Sequence, residues 1–181
     1  ECRVVARAGQ MLALLVVAGA LGVASAGTPR RDRPSSPEGS VHVPSLLASN
    51  SSGGFALGAG EGFDSLGSAV ASCDVNGDGI DDLVAGASFR LHGGPSASGK
   101  VYVVLGKASG WGPSVQAADA DFVMQGEDGG DGFGDAVACG DMNGDGLGDL
   151  ILAAPSAAGP GNARKKAGEV YVVFGAASGW A

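Results

Sequence analysis

Residues 55–87, FALGAGEGFDSLGSAVASCDVNGDGIDDLVAGA, can be written above residues 122–154, FVMQGEDGGDGFGDAVACGDMNGDGLGDLILAA, without a gap. The offset is 67 throughout, placing Phe55 over Phe122, Gly67 over Gly134, Val70 over Val137 and Leu83 over Leu150. After a two-residue change in length the match resumes, with GKVYVVLGKASGW (99–111) over GEVYVVFGAASGW (168–180) at an offset of 69. Two unrelated loops would not share this. A self-similarity this long means one supersecondary unit of roughly 70 residues built twice.

Each unit reads as four short strands. In the first they fall near Phe55–Leu57, Gly67–Ser72, Asp82–Ala87 and Lys100–Leu105, and in the second near 122–124, 134–139, 149–154 and 169–174. Runs such as VYVV and DLVAGA are apolar without alternation, which suits strands covered on both faces. The 34 glycines among 181 residues are more than twice the usual share, while aromatics are only 6%. With no collagen-like period, that composition favours tight turns between short strands over long helices. The expected class is all-β, with the units as four-stranded blades of a β-propeller. Two packed hairpin domains are the alternative.

The chain outside the repeat is of another kind. Arg3 and Arg7 precede the uncharged run MLALLVVAGALGV (11–23) and then Ala24-Ser25-Ala26. Charged flank, short apolar segment and small-residue site are the parts of a secretory signal peptide, and the run is short for a membrane span. Residues 1–26 are therefore expected to be a cleaved leader and 27–40, GTPRRDRPSSPEGS, a disordered linker. Residues 41–111 would then hold the first blade with a preceding strand, and 112–181 the second. Asn50-Ser51-Ser52 fits an N-glycosylation sequon. Removal of the leader leaves nine basic and eighteen acidic residues, a net charge of −9. Nucleic acid, which needs a basic footprint, is a poor partner for that surface. A divalent cation is the natural one.

Two stretches, DVNGDGIDDL (74–83) and DMNGDGLGDL (141–150), concentrate the acid. Side-chain oxygens stand at positions 1, 3, 5 and 9 of each: Asp74, Asn76, Asp78 and Asp82, then Asp141, Asn143, Asp145 and Asp149. Alternation at 1, 3 and 5 turns successive oxygens toward one centre as the chain wraps. Gly79 and Gly146 at position 6 permit the sharp turn, and Ile80 or Leu147 at position 7 can offer a carbonyl. An all-oxygen shell with three carboxylates suits calcium. Zinc would want His or Cys, and His42 and His92 lie outside both loops. A solvated Asx-rich turn would explain one such loop, but two in register inside a repeat fit it poorly. The candidate cofactor is Ca2+ at two sites, with Asp81 adding a carboxylate that the second loop replaces by Gly148.

An EF-hand or dockerin loop needs an acid at position 12, where Ala85 and Leu152 stand. Strand, DxNGDGxxD, strand resembles instead the FG-GAP repeat of integrin α-subunit β-propellers and their bacterial and algal relatives. Phe133-Gly134 and Leu66-Gly67 stand at the name-giving positions, and Gly86-Ala87-Ser88 and Ala153-Ala154-Pro155 partly preserve the Gly-Ala-Pro element. The resemblance covers about residues 55–180. It implies a seven-bladed propeller with calcium-binding hairpins on one face and partner contacts on the other. The implied role is adhesion or recognition at the cell surface or in the medium, through an extracellular protein or glycan, and not catalysis. The alternative is the non-catalytic propeller portion of a secreted hydrolase, such as a glycosylphosphatidylinositol-specific phospholipase D-like enzyme. With repeats so close behind the leader, a catalytic domain is expected downstream if anywhere. Two blades leave apolar edges and faces open, so further blades in a longer chain, or self-association, are expected.

Other signals fail. GPSASGKV (94–101) approaches a phosphate-binding loop, but Val101 stands where Ser or Thr is needed and a strand follows. There is no G-x-S-x-G elbow. Cys73 precedes its loop by one residue and Cys139 by two, so the two side chains are expected on opposite strand faces. Neighbouring units are also expected to hold them too far apart to bridge. The expectation is two buried, unjoined thiols.

Overall fold

A computed structural model of the chain describes residues 54–59, 65–88, 98–159, 164 and 166–178. The expected leader, linker and strand preceding the first blade, the sequon at Asn50, both histidines and Trp180 lie outside the described residues. Nine strands are described: β1 (Ala56–Gly58), β2 (Leu66–Cys73), β3 (Asp82–Ala87), β4 (Lys100–Val104), β5 (Ser114–Gln116), β6 (Phe122–Gln125), β7 (Ala136–Gly140), β8 (Asp149–Ala154) and β9 (Glu169–Val173). One 3-10 turn, Ala117–Asp119, is the only helical element among the described residues. No described helix is long and apolar enough to cross a membrane. The eight strands expected from the repeat are all present within a few residues of their expected limits, and β5 is additional.

The pairing differs from the expectation of one four-stranded sheet per unit. The first sheet runs β2-β3-β4-β6, so its fourth strand comes from beyond the repeat boundary. The pairing is antiparallel, with Val101 opposite Met124 and Val103 opposite Phe122. The second sheet runs β7-β8-β9. β1, the repeat counterpart of β6, pairs in parallel with β5 instead. The reason is chain order: a strand that precedes its unit lies nearest the outer edge of the sheet before it.

The main core lies between the two sheets. Val75, Val84, Val101 and Val103 of the first unit meet Phe133, Leu150, Leu152 and Ala154 of the second, all of them buried. This explains why β3, β4 and β8 read as near-continuous apolar runs. A second cluster, with Leu57, Leu66, Ala85, Ala87, Tyr102 and Val104, covers the opposite face of the first sheet. The Phe133-Gly134 pair is a wedge in the main junction. Phe133 donates its N–H to the Ser98 carbonyl at 3.1 Å and meets Tyr171 edge-on at 5.6 Å. Gly134 has φ +81° and lies so close to Gly86 that a Cβ there would overlap its carbonyl.

The cysteine expectation is overturned. Cys73 and Cys139 form a disulfide with their Cα atoms 6.0 Å apart. β2 and β7 lie side by side as the facing strands of the two sheets, so the relevant distance is across one junction, not across a propeller. The one-residue difference in position argued against pairing through a rule of strand alternation that holds within one sheet, whereas Cys73 and Cys139 stand on two.

Candidate metal loops

The turns of the two acidic loops are built alike. In the first, Asp74 Oδ1 accepts N–H groups from Gly77 (2.6 Å) and Asp78 (3.1 Å), and Oδ2 accepts that of Gly79 (2.7 Å). In the second, Asp141 does the same with Gly144, Asp145 and Gly146 at 2.7, 3.1 and 2.9 Å. Asn76 Oδ1 accepts from the Asp78 N–H and Asp78 Oδ1 from the Ile80 N–H, as Asn143 and Asp145 do with Asp145 and Leu147. The amide Nδ2 of Asn76 donates to Asp78 Oδ2 at 3.1 Å, and Asn143 to Asp145 at 2.8 Å. These are Asx turns, in which a short polar side chain bonds backbone two to five residues on. Gly79 and Gly146 have φ of +83° and +88°, as the sharp turn requires, and Gly77 and Gly144 share the left-handed conformation.

The ninth-position aspartates differ from the rest. Asp82 and Asp149 are fully buried at the heads of β3 and β8. Asp82 takes the Val75 N–H on one oxygen (2.9 Å) and the Gly106 N–H on the other (2.7 Å). Asp149 takes those of Met142 (2.6 Å) and Gly175 (2.8 Å). Each thus pins the start of its loop to the exit of the strand that closes its unit. Burial raises the Asp82 carboxyl above the ordinary range, with Asp78 and Asp74 adding to it and the two N–H donors opposing. Burial acts the same way on Asp149, but N–H groups of Gly175, Met142 and Asn143 outweigh it and hold that carboxyl low. The extra N–H donor on Asp149 and the carboxylate repulsion felt by Asp82 both separate the two in that direction.

Donor chemistry in each loop is hard oxygen throughout, which fits calcium in kind. The side-chain oxygens at positions 1, 3 and 5 share one turn, with Asp78 and Asp145 exposed and clear of the core. They are held on the loop's own N–H groups, and among the described residues no three acidic, His or Cys side chains gather round a common point. Sequence reasoning missed the pinning role of Asp82 and Asp149, although burial of the flanking DL pairs at strand starts was a visible signal. It also missed the contact between the loops: Gly148 donates its N–H to the Asp74 carbonyl at 2.8 Å and Ala176 to the Val75 carbonyl at 3.0 Å. Gly148 is glycine for a steric reason. A Cβ there would lie 2.7 Å from both Cβ and Sγ of Cys73. Gly148→Ala is therefore expected to lower stability by about 1–3 kcal/mol through overpacking, read as a drop in melting temperature.

Two antiparallel sheets of one repeated plan, packed face to face and each carrying an acidic hairpin loop, define a β-propeller-blade architecture. More specifically, the chain carries two FG-GAP repeats, matched at residues 66–104 and 133–173. It is 38% identical over 114 residues to mouse phosphatidylinositol-glycan-specific phospholipase D, covering 63% of this chain and 13% of that protein. The rat protein of the same name is 40% identical over 116 residues, covering 63% of this chain and 14% of the relative. The bovine one is 37% identical over 117 residues. The chain thus spans a small fraction of the length of the relatives it matches.

Proposed function

We propose that this chain is a calcium-binding β-propeller segment that works outside the cell as a recognition module for an extracellular protein or glycan. The observation that carries this reading is the pair of all-oxygen loops, alike in the turn bonds of their first seven positions and set side by side on adjacent sheets. Calcium would be held by Asp74, Asn76, Asp78 and Asp82 with the Ile80 carbonyl, and by Asp141, Asn143, Asp145 and Asp149 with the Leu147 carbonyl. When bound it would supply the positive charge that offsets carboxylate repulsion within each loop. The residues themselves set the backbone: the Asx bonds fix the turn, and the ninth-position Asp ties the loop to its sheet.

Titration calorimetry of the full chain, stripped with chelator and then given calcium chloride, is expected to show two sites near 10⁻⁴–10⁻³ M, the range of extracellular modules. At ten times the dissociation constant, each site would add about 1.4 kcal/mol to stability. Asp78→Ala and Asp145→Ala should each remove one site. The loop with Asp81 should be the tighter. Absence of heat, together with a melting temperature indifferent to chelator, would reject the calcium reading.

A second reading is favoured by the mouse and rat matches: the segment is the propeller portion of a hydrolase acting on phosphatidylinositol-glycans. Assay of the full-length polypeptide on such a substrate separates the two.

A further inference from the structure

Four asparagines stand in the chain, and two of them, Asn76 and Asn143, are followed by glycine, Gly77 and Gly144. Both pairs lie inside the acidic loops. Asparagine is a thermally labile residue, lost when its side-chain amide closes onto the next backbone nitrogen. Glycine at that next position puts no Cβ in the way, whereas Asn50 and Asn162 are followed by Ser51 and Ala163. The turn itself demands the glycine. Gly77 and Gly144 have φ of +78° and +79°, and a Cβ at Gly77 would also lie 2.7 Å from Leu147 Cδ2. The fold therefore keeps a reactive dipeptide at the third position of each loop.

Both reacting groups of each pair are held on other atoms. The attacking atom is the Gly77 nitrogen, and it donates its N–H to Asp74 Oδ1 at 2.6 Å. The atom attacked is Asn76 Cγ, and its amide is tied at both ends to Asp78. Asn76 Oδ1 accepts the Asp78 N–H at 2.9 Å, and Nδ2 donates to Asp78 Oδ2 at 3.1 Å. In the second loop the same three bonds measure 2.7, 3.1 and 2.8 Å, on Asp141 and Asp145. Ring closure needs a nitrogen free of its proton and an amide free to bring its carbon into line. We propose that Asn76 and Asn143 are latent sites of spontaneous deamidation, closed by the loop's own bonds and reactive when the loop opens.

In the open loop the Gly77 nitrogen bonds to Asn76 Cγ and the Cγ–Nδ2 bond breaks. The proton of the attacking nitrogen passes through water to the departing Nδ2, which leaves as ammonia. Water then adds to one carbonyl of the cyclic imide and opens it, to aspartate or to isoaspartate. Nothing is oxidised or reduced, and water is the only co-reactant. Aspartate adds a carboxylate at the third position of the loop. Isoaspartate adds a carbon to the main chain, so the turn bonds of that loop lose their spacing and the opening becomes one-way. Local opening of this kind lies well below global unfolding in free energy, so the modification proceeds in a chain that is otherwise folded.

The test incubates the full chain beside synthetic peptides of residues 74–83 and 141–150. Chelator is present throughout, so the outcome does not depend on the calcium reading. Peptide mass mapping measures amide lost at each asparagine, and enzymatic methylation measures isoaspartate. The free peptides are expected to react about 10-fold faster than the same residues in the folded chain, because bonds to charged groups must first be released. Asp78→Ala should speed loss at Asn76 by about 5-fold and leave Asn143 at the wild-type rate. Asp145→Ala should do the reverse. Peptides with the same substitutions correct for any change in intrinsic rate. Folded loops that react as fast as the peptides would overturn the proposal, and so would peptides that do not react. It also fails if Asn76 of the Asp78→Ala chain keeps the wild-type rate after correction. A rise at both asparagines in that variant would count against it too, as the mark of general unfolding.

Discussion

Cys139→Ser, or reduction of the Cys73–Cys139 bond, is expected to lower the stability of the chain by about 2–4 kcal/mol. The bond spans 66 residues of sequence and joins the two sheets at their facing strands. Closing a loop of that length removes chain entropy from the unfolded state worth about 4 kcal/mol, the upper end of the range. Guanidinium unfolding with and without dithiothreitol measures it. The reduced wild type and the serine variant should share one midpoint, and dithiothreitol should leave the variant unmoved. A midpoint of the wild type that ignores reductant would mean that the thiols are not joined.

Asp82→Ala is expected to cost about 3 kcal/mol even in the presence of chelator. The substitution leaves the N–H groups of Val75 and Gly106 without their acceptor in a fully buried place. Hydrogen bonds to charged groups contribute roughly 1.5–3 kcal/mol each, and the two here are coupled through one carboxylate. Asp78→Ala in the same buffer should change stability by less than about 1 kcal/mol, since that side chain is exposed. Parallel melts of the two variants separate the pin from the exposed rim of the loop. Equal effects would show that Asp82 has no structural task of its own.

The strands and their order were legible because glycine-rich punctuation isolates short apolar runs, and because the duplication let each reading be checked against its copy. Leu83, Val84, Val101 and Val103 could be assigned to a buried sheet from the continuity of the run alone. What could not be read was pairing across the unit boundary. The sequence of Phe122–Gln125 says strand, but nothing local says which sheet it joins. The disulfide was missed for the same reason: strand parity is a rule within one sheet, and Cys73 and Cys139 belong to two. In the loops, the oxygen positions were plain from spacing, whereas the burial of Asp82 and Asp149 depends on Gly106 and Gly175, which lie 24 and 26 residues away. Gly148 looked like the loss of a ligand and is instead the clearance for a neighbouring sulfur.

The loan of β6 to the sheet before it has an evolutionary corollary. When recombination excises or inserts one full period, the strand removed from a sheet is replaced by its equivalent from the next period, at the same spacing. Every sheet on either side of the cut stays whole. Copy number can therefore drift by integers without passing through a broken intermediate, while a cut at any other interval leaves one sheet short of a member.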